Sequence, residues 1–348
     1  MKIVRIVEKS VPFGSNIANA YINFSAMTGS AVAIETDVIR DGKPVVGYGF
    51  NSIGRYACSS ILRERMIPKI MNAKPEDILT DDGTNLDPFK INRILKSNEK
   101  PGGHGDRAHA IGALDMAVWD TVAKIEGKPL YVLLGERYNG GKYDKKIYTY
   151  GAGGYYYAED GDNRLHDELQ SYIDMGFRDV KMKIGGADLK TDMHRIEVAL
   201  KVVDNDGSRL MVDANGRMDV EEALAYAHAM APYGLRWYEE PVDPLDYEGL
   251  AVISEKYHAP IATGENLFSL EDIKNLIRHG GMRADRDYIQ MDCPLSYGLV
   301  EYMKVLDYLK DMGWSSRRCI PHGGHQFCAN IAAGLWLGRN ENYPGVFQ

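Results

Sequence analysis

Cysteine is scarce in this sequence and shows no useful pattern. The 348 residues include four cysteines, with no Cys-x-x-Cys pair and no spacing typical of zinc ligands: Cys58, Cys293, Cys319 and Cys328. Their scarcity argues against a disulfide framework and is typical of reduced thiols in a cytoplasmic protein. We therefore expect neither disulfides nor a structural zinc site of the usual spacing.

Long apolar runs and an excess of positive charge are missing as well. No hydrophobic run approaches the roughly 18 residues that span a bilayer, and the N-terminal stretch MKIVRIVEKSVPFG lacks the apolar core of a signal peptide. The formal net charge is -8, whereas a general nucleic-acid surface is basic. We therefore expect a cytoplasmic protein that binds neither membranes nor nucleic acid.

The sequence divides into two units with different patterns of predicted secondary structure. Its length of 348 residues is sufficient for two domains. Residues 1–60 have the alternation of β-hairpins, with a predicted turn at Asp41 and Gly42. Residues 108–134 have the apolar face of a helix. Residues 1–140 are thus predicted to form an α+β unit.

From residue 147 onward, short apolar runs alternate with helical segments to give about eight β units. Eight parallel strands joined by crossover helices close into a barrel, whose active site lies at the C-terminal ends of the strands. We therefore predict the α/β fold class, with a TIM-type barrel over residues 141–348.

Three acidic residues lie at equal intervals, each at the end of a short apolar run. Asp213 in LMVDAN, Glu239 in RWYEEP and Glu265 in PIATGEN are each 26 residues apart, about one strand–helix unit. Carboxylates at the ends of three successive parallel strands converge, and like charges held that close need a cation. Because oxygen ligands favour Mg²⁺, the spacing predicts a magnesium site.

Further polar residues fall where the neighbouring strands are predicted to end. Any one of them alone has about even odds of being a cap or a salt bridge, but the regular set predicts a catalytic site. They are Lys181 and Lys183 after the second strand, Asn215 after the third, Asp292 after the sixth and His322 after the seventh.

The motifs VKMKIGG, VDANG, YEEP, TGEN and PHGGH, together with Asp292, resemble the barrel of the enolase superfamily, mandelate racemase subgroup. The resemblance covers the whole chain and implies a modified barrel of (β/α)7β type with an N-terminal α+β capping domain. In this family the chain continues past the eighth strand and returns to the cap. This sequence stops at Gln348, so a missing return segment is expected.

The resemblance also implies roles for individual residues. The metal ligands would be Asp213, Glu239 and Glu265, one base would be Lys183, and His322 paired with Asp292 would be the other acid/base. The family's shared step is removal of a proton next to a carboxylate, and bound Mg²⁺ stabilises the enolate that results.

Two electrostatic expectations accompany these roles. A free lysine is protonated at neutral pH, so the like charge of Lys181 is expected to lower the pKa of Lys183 and let it act as a base. Asp292 is expected to fix the tautomer of His322 and to favour its charged form.

Two polar capping loops, over residues 13–25 and 49–60, favour a small polyhydroxylated acid as substrate. The candidate substrate-binding residues are Asn19, Asn51, Lys100, Asn215 and Glu341, with Asn16, Ser52 and Arg55 also available in the loops. Glu341 is the counterpart of the family's strand-eight acid and is about as readily a loop glutamate. Lys100 would meet a second carboxylate, and a solvated loop lysine is an equal alternative. Family members are commonly multimeric, so a homo-oligomer is expected.

The stretches NAYINFS, GYGFNSIGRY, NEKPGGHGDRAHAIGALDMAVWD and VKMKIGGA are similar to the tartrate dehydratases of this subgroup. This similarity implies a lyase in which Lys183 takes the α-proton and His322 assists loss of the hydroxyl group. Three alternatives stay open: a racemase or epimerase, a dehydratase of another hydroxy acid, and a barrel that binds a ligand without catalysis.

Overall fold

The structure is a computed structural model of the chain and describes residues 1–15, 17–51, 57–102, 105–157, 160–323 and 325–344. The predicted loop residues Asn16, Ser52 and Arg55 lie outside the described residues. None of the helices in these ranges is long and apolar enough to cross a membrane.

The N-terminal unit is built on an antiparallel sheet of three strands, β1 (Ile3–Phe13), β2 (Met27–Arg40) and β3 (Lys43–Asn51), in that order. Strands β2 and β3 are joined at Asp41 and Gly42, whose φ angles of 49° and 74° are both left-handed. Such a pair is typical of a type I′ hairpin turn, so the turn predicted from the sequence is confirmed.

Helical segments follow this sheet in the chain. They are α1 (Ala57–Ile61), a π-helical turn (Leu62–Met66), α2 (Ile67–Met71), α3 (Pro75–Ile78), α4 (Pro88–Lys96), α5 (Gly105–Glu126) and α6 (Leu130–Tyr138). The single helix predicted over residues 108–134 is wrong, because α5 ends at a left-handed Gly127 with φ 67°. Lys128 N–H donates to the Ala123 carbonyl at 3.0 Å, which completes a Schellman-type helix end.

The C-terminal unit is a parallel barrel. Its strands are β4 (Thr149–Ala152), β5 (Val180–Lys183), β6 (Leu210–Asp213), β7 (Trp237–Glu239), β8 (Ile261–Thr263), β9 (Tyr288–Ile289) and β10 (Asn340–Asn342), and the sheet order is β10-β4-β5-β6-β7-β8-β9. Cys319 forms a parallel bridge with Ile289, and its carbonyl accepts from Gly338 N–H at 2.9 Å. This segment therefore closes the ring between β9 and β10.

Helices follow the barrel strands and cover the outside of the barrel. They are α7 (Gly161–Asp174), α8 (Leu189–Val202), α9 (Val220–Met230), α10 (Tyr247–Lys256), α11 (Leu270–His279), α12 (Leu299–Asp311) and α13 (Gln326–Gly334). Short 3-10 turns lie at Gly207–Arg209, Ala231–Tyr233 and Ser316–Arg318. The predicted fold class, a modified TIM barrel with an N-terminal capping domain, is confirmed. The division of the chain at residue 140 stays a prediction.

A small apolar cluster fills the inside of the barrel. It contains Tyr150, Ala152, Met211, Trp237, Ala262 and Ile320. The Tyr150 and Trp237 rings meet edge to face with centroids 5.4 Å apart. Trp237 Nε1–H also donates to Glu239 Oε2 at 2.9 Å, so the packed floor of the barrel helps to orient a site carboxylate.

The cap and the barrel meet at the start of α12. Asp115 of α5 is buried, and its Oδ2 accepts from Leu299 N–H at 2.6 Å. Lys96 Nζ lies 2.9 Å from Glu301 Oε2, and Asn92 Nδ2 donates to the Tyr297 carbonyl at 3.0 Å. An acid of the cap thus satisfies a backbone donor at a barrel helix N-terminus.

Burial raises the pKa of Asp115 to about 8, against the opposing effect of the Leu299 and Val300 backbone N–H groups. A folded-state pKa above the unfolded value contributes stability that is lost as pH rises from about 4 towards 8. We therefore predict that the free energy of unfolding of wild type falls relative to Asp115→Asn by about 1 kcal/mol or more between pH 5 and pH 8.5. Urea unfolding of both proteins at both pH values measures this, and a difference that does not change with pH would contradict it.

Candidate active site at the barrel mouth

Parallel register places the candidate carboxylates side by side. Lys183 pairs with Asp213 and Asp213 pairs with Glu239 across β5, β6 and β7, while Glu265 follows the end of β8. One carboxylate oxygen from each of Asp213, Glu239 and Glu265 lies within 4.8 Å of the other two. The convergence expected from the 26-residue spacing is therefore present. We call these three residues the carboxylate row.

Local backbone geometry helps to build the row. Gly264, just before Glu265, has φ 123°, and a Cβ added to it would lie 3.1 Å from Met291 N. Asn215 and Glu240 hold left-handed φ angles of 51° and 41°, which are uncommon for residues with side chains and often mark functional sites. Glu240 accepts from Asn266 Nδ2 at 2.9 and 3.1 Å.

Two buried lysines neutralise much of the charge at this end of the barrel. Lys181 Nζ lies 2.7 Å from Glu239 Oε1 and 3.4 Å from Asp213 Oδ2, and it also forms an ion pair with Glu341. Lys183 Nζ lies 2.5 Å from Asp213 Oδ2. Buried charges are costly unless paired, so the two ammonium groups and these carboxylates depend on one another.

The pKa values of the carboxylates record this pairing. Burial would raise the pKa of Asp213, but Lys183 and Lys181 outweigh it and hold that pKa below its usual range. Burial would also raise the pKa of Glu341, but Lys181 and His322 outweigh it and lower that pKa to about 2. Burial and the nearby Asp213 raise the pKa of Glu239 to about 8 in spite of Lys181. Negative charge is therefore favoured on Asp213 and Glu341 and disfavoured on Glu239.

The predicted direction of the Lys183 pKa shift is wrong for this state of the protein. Burial lowers the pKa of Lys183 and Lys181 lowers it further, as expected, but Asp213 raises it and the net shift is upward. The neighbouring lysine is visible in the sequence, but the carboxylate on the adjacent strand becomes visible only in the fold. Lys183 is thus held as an ammonium by the same oxygen that belongs to the carboxylate row.

His322 lies at the other end of the row. Its Nε2 is 3.1 Å from Glu265 Oε2 and 3.8 Å from Glu341 Oε2. Burial lowers the pKa of His322, but Glu265, Glu341 and Asp292 raise it, and the net shift is upward. Asp292 therefore favours the charged form of His322, as expected.

Asp292 and His322 do not form the hydrogen bond that would fix the tautomer of the histidine. His322 Nδ1 lies 3.9 Å from Asp292 Oδ2, which is beyond hydrogen-bond range. The same oxygen is 3.9 Å from His325 Nε2 and 3.8 Å from Cys328 Sγ. His325 Nδ1 also accepts from Cys328 N–H at 3.4 Å at the start of α13.

The candidate substrate-binding residues divide into two groups. Glu341 is fully buried beside Lys181, and the side-chain oxygen of Asn215 is buried without a hydrogen-bond partner in the described ranges. Asn19, Asn51 and Lys100 are not brought to the row. Asn19 Oδ1 accepts from two backbone N–H groups of its own turn, Asn51 is buried against the His109 carbonyl, and Lys100 is exposed.

Two tyrosines at the site were not predicted from the sequence. Tyr343 Oη lies 3.5 Å from His322 Nε2, and the Tyr155 ring centroid lies 5.7 Å from Lys183 Nζ. Tyr343 is two residues after Glu341, so strand alternation alone was a signal that both side chains face the barrel mouth. Tyr155 follows β4 in a glycine-rich stretch, where periodicity gives no such signal.

A parallel barrel whose strand ends carry clustered carboxylates between two basic groups defines an α/β-barrel site suited to a divalent cation and proton transfer. Residues 164–341 match the family described as enolase C-terminal domain-like. Residues 37–135 match the mandelate racemase / muconate lactonizing enzyme N-terminal domain. The chain belongs to the enolase superfamily, in its mandelate racemase / muconate lactonizing enzyme subgroup.

Individual relatives agree with this assignment. Arabinonate dehydratase of Saccharolobus solfataricus is 32% identical over 305 residues, covering 86% of this chain and 74% of that protein. L-talarate/galactarate dehydratase of Salmonella typhimurium is 30% identical over 277 residues, covering 78% and 66%.

Solved structures show the same fold. A racemase from Streptomyces coelicolor with bound magnesium has a TM-score of 0.82 at 26% identity and covers 98% of this chain and 89% of that chain. L-talarate dehydratase from Polaromonas sp. JS666, complexed with Mg and L-glucarate, has a TM-score of 0.76 at 26% identity and covers 97% and 86%.

Lys181→Met removes a buried ammonium from Glu239 and Glu341. Because it leaves buried carboxylates unpaired, we predict that it lowers the free energy of unfolding by about 3–5 kcal/mol. The measurement is urea unfolding in EDTA. The control is Lys124→Met, which breaks an exposed pair with Asp120 and should cost about 1 kcal/mol or less. Equal losses in the two variants would show that the buried pairing does not stabilise the fold.

Proposed function

We propose that this protein is an acid-sugar dehydratase, a hydro-lyase that converts D-tartrate to oxaloacetate and water. The observation that carries the proposal is the carboxylate row with Lys183 at one end and His322 at the other. The names of the two dehydratase relatives support the reaction class. The cytoplasmic location and the homo-oligomeric state stay predictions.

The row fits Mg²⁺ by its chemistry. Its donors are all carboxylate oxygens, they lie within 4.8 Å of one another, and Asn215 adds a buried oxygen without a partner in the described ranges. Solved relatives with bound magnesium support the same assignment. Asp213, Glu239 and Glu265 would hold the ion, which when bound supplies positive charge to stabilise an enolate.

Lys183 is the proposed base that takes the C2 proton of the substrate. The Lys183 ammonium pairs with an Asp213 oxygen that a bound cation would share. If this pair is weakened, burial and the neighbouring Lys181 lower the pKa of Lys183. The proton moves to Lys183 Nζ, and the electrons of the C2–H bond pass into the substrate carboxylate to give an enolate. They form the C2–C3 double bond when the C3–O bond breaks.

His322 is the proposed acid. It approaches the row from the Glu265 end, so a substrate held between His322 and Lys183 presents opposite faces to them. As the C3–O bond breaks, His322 gives its proton to the leaving hydroxyl group, which departs as water. The enol then takes up a proton at C3 and releases the proton of its C2 hydroxyl group, which gives the 2-keto acid.

The choice of tartrate as the substrate is more specific than the choice of reaction class, and it rests on the sequence alone. Four stretches resemble tartrate dehydratases, and they include loop residues of the cap and the Lys181–Lys183 strand. The first capping loop does reach the barrel, since Ala18 bridges to Tyr156. Lys100 is exposed, which gives no support to its proposed contact with a second carboxylate.

Purified protein with Mg²⁺ should dehydrate D-tartrate, and EDTA should abolish turnover until Mg²⁺ is restored. Mass spectrometry of the 2-keto acid, over a panel of acid sugars and tartrate isomers, measures this. Turnover of another acid without D-tartrate would reject tartrate and keep the class. A panel without any dehydration would reject the class, and C2 deuterium exchange without keto acid would favour an epimerase.

Lys183→Ala and His322→Asn should each reduce kcat by about 100-fold or more, the usual contribution of a general acid or base. In D2O, His322→Asn should retain exchange of the C2 proton and Lys183→Ala should lose it, because only Lys183 removes that proton. The controls are Lys201→Ala and His194→Asn, both exposed. Turnover equal to wild type in either site variant would contradict the mechanism.

A further inference from the structure

A second group of potential metal ligands lies in the capping domain, apart from the carboxylate row. Cys58 belongs to α1, and Asp106 and His109 belong to the first turns of α5. Asp106 and His109 are three residues apart and so lie on one face of the helix. One sulfur, one oxygen and one nitrogen from these residues all lie within 4.8 Å of one another.

His109 is the observation that points to a ligand. Its side chain is buried, and neither ring nitrogen has a hydrogen-bond partner in the part of the chain that the structure describes. The nearest acid is Asp106, whose Oδ1 lies 4.0 Å from His109 Nδ1. A buried polar group without a partner destabilises the fold, and a bond to a metal ion would remove this cost.

The protonation state of His109 suits this role. Burial lowers the pKa of His109 to about 4 in spite of the Asp106 carboxylate, so the ring is neutral near pH 7. Neutral imidazole is the form that binds metal ions.

Cys58 supplies the soft ligand. The thiol is fully buried, and it donates to the Asp106 carbonyl across 3.7 Å. Burial, with Asp106 and Glu8, raises the pKa of Cys58 to about 12, so binding must displace the thiol proton to solvent. The same two carboxylates attract a cation to the site.

We propose that Cys58, Asp106 and His109 form a second metal site, for a borderline-soft divalent ion such as Zn²⁺. Thiolate, imidazole and carboxylate are the usual zinc donors, whereas Mg²⁺ prefers oxygen alone. The site is therefore chemically distinct from the carboxylate row and does not depend on the proposed dehydratase activity.

Occupation of the site would brace the cap against the barrel. The ion would tie α1 to α5, and the His109 ring already packs edge to face on Phe268 with centroids 5.0 Å apart. Phe268 is three residues after Glu265 in the chain. A structural ion here thus lies one packing contact from the loop that carries a member of the carboxylate row.

The molecule offers a matched comparison. Asp292, His325 and Cys328 also place an oxygen, a nitrogen and a sulfur within 4.8 Å of one another. There, however, His325 accepts from Cys328 N–H at a helix N-terminus, and Asp292 Oδ1 accepts from Leu295 N–H at 3.1 Å. Those groups have partners, so we expect metal binding at Cys58 and not at Cys328.

The test uses Co²⁺ as a spectroscopic probe for the full chain, freed of metal and then saturated with Mg²⁺. Wild type and Cys328→Ser should show a thiolate-to-cobalt absorption band that saturates at one equivalent and is abolished by Zn²⁺. Cys58→Ser should lack the band, and His109→Gln should weaken Co²⁺ binding about tenfold or more. Circular dichroism checks that each variant is folded.

If Cys58→Ser fails to fold, Asp106→Asn replaces it, because that side chain is half exposed. It should also weaken Co²⁺ binding about tenfold or more. The proposal is overturned if wild type shows no band, if the band follows Cys328 instead of Cys58, or if Asp106→Asn and His109→Gln bind Co²⁺ as wild type does.

Discussion

Buried carboxylates at one end of the barrel face the ammonium groups of Lys181 and Lys183, and the rest of the site depends on this balance of charge. Each buried ion costs several kcal/mol unless it is paired, so Asp213, Glu239 and Glu341 cannot be held there without cations. Glu265 and Glu240 leave the site richer in acids than in lysines. The fold therefore leaves an excess of negative charge where its strands end, which a bound cation would neutralise.

The scaffold fixes this balance by register and by packing. Parallel pairing sets Lys183 beside Asp213 and Asp213 beside Glu239, so neither contact depends on a flexible loop. Trp237 orients Glu239 from the apolar floor of the barrel. The cap is joined to the barrel through Asp115 at the start of α12.

The sequence was sufficient for the features that follow from periodicity. A 26-residue interval matches one strand–helix unit, so the order of the barrel and the convergence of the carboxylate row were predictable. The pKa direction of Lys183 was not, because it depends on an oxygen of the neighbouring strand. The substrate contacts of Asn19 and Asn51 stay predictions, because amides serve backbone turns and buried carbonyls as readily as ligands. The end of α5 was missed although Gly127 marked it.

The central claim is that the carboxylate row binds one divalent cation. Isothermal titration calorimetry of Mg²⁺ into chelator-treated protein tests it directly, with Glu265→Gln as the site variant and Glu255→Gln, an exposed glutamate, as the control. We expect one Mg²⁺ per chain in wild type and in the control, and binding about tenfold weaker or more in Glu265→Gln. Equal binding by all three proteins, or no binding by wild type, would contradict it.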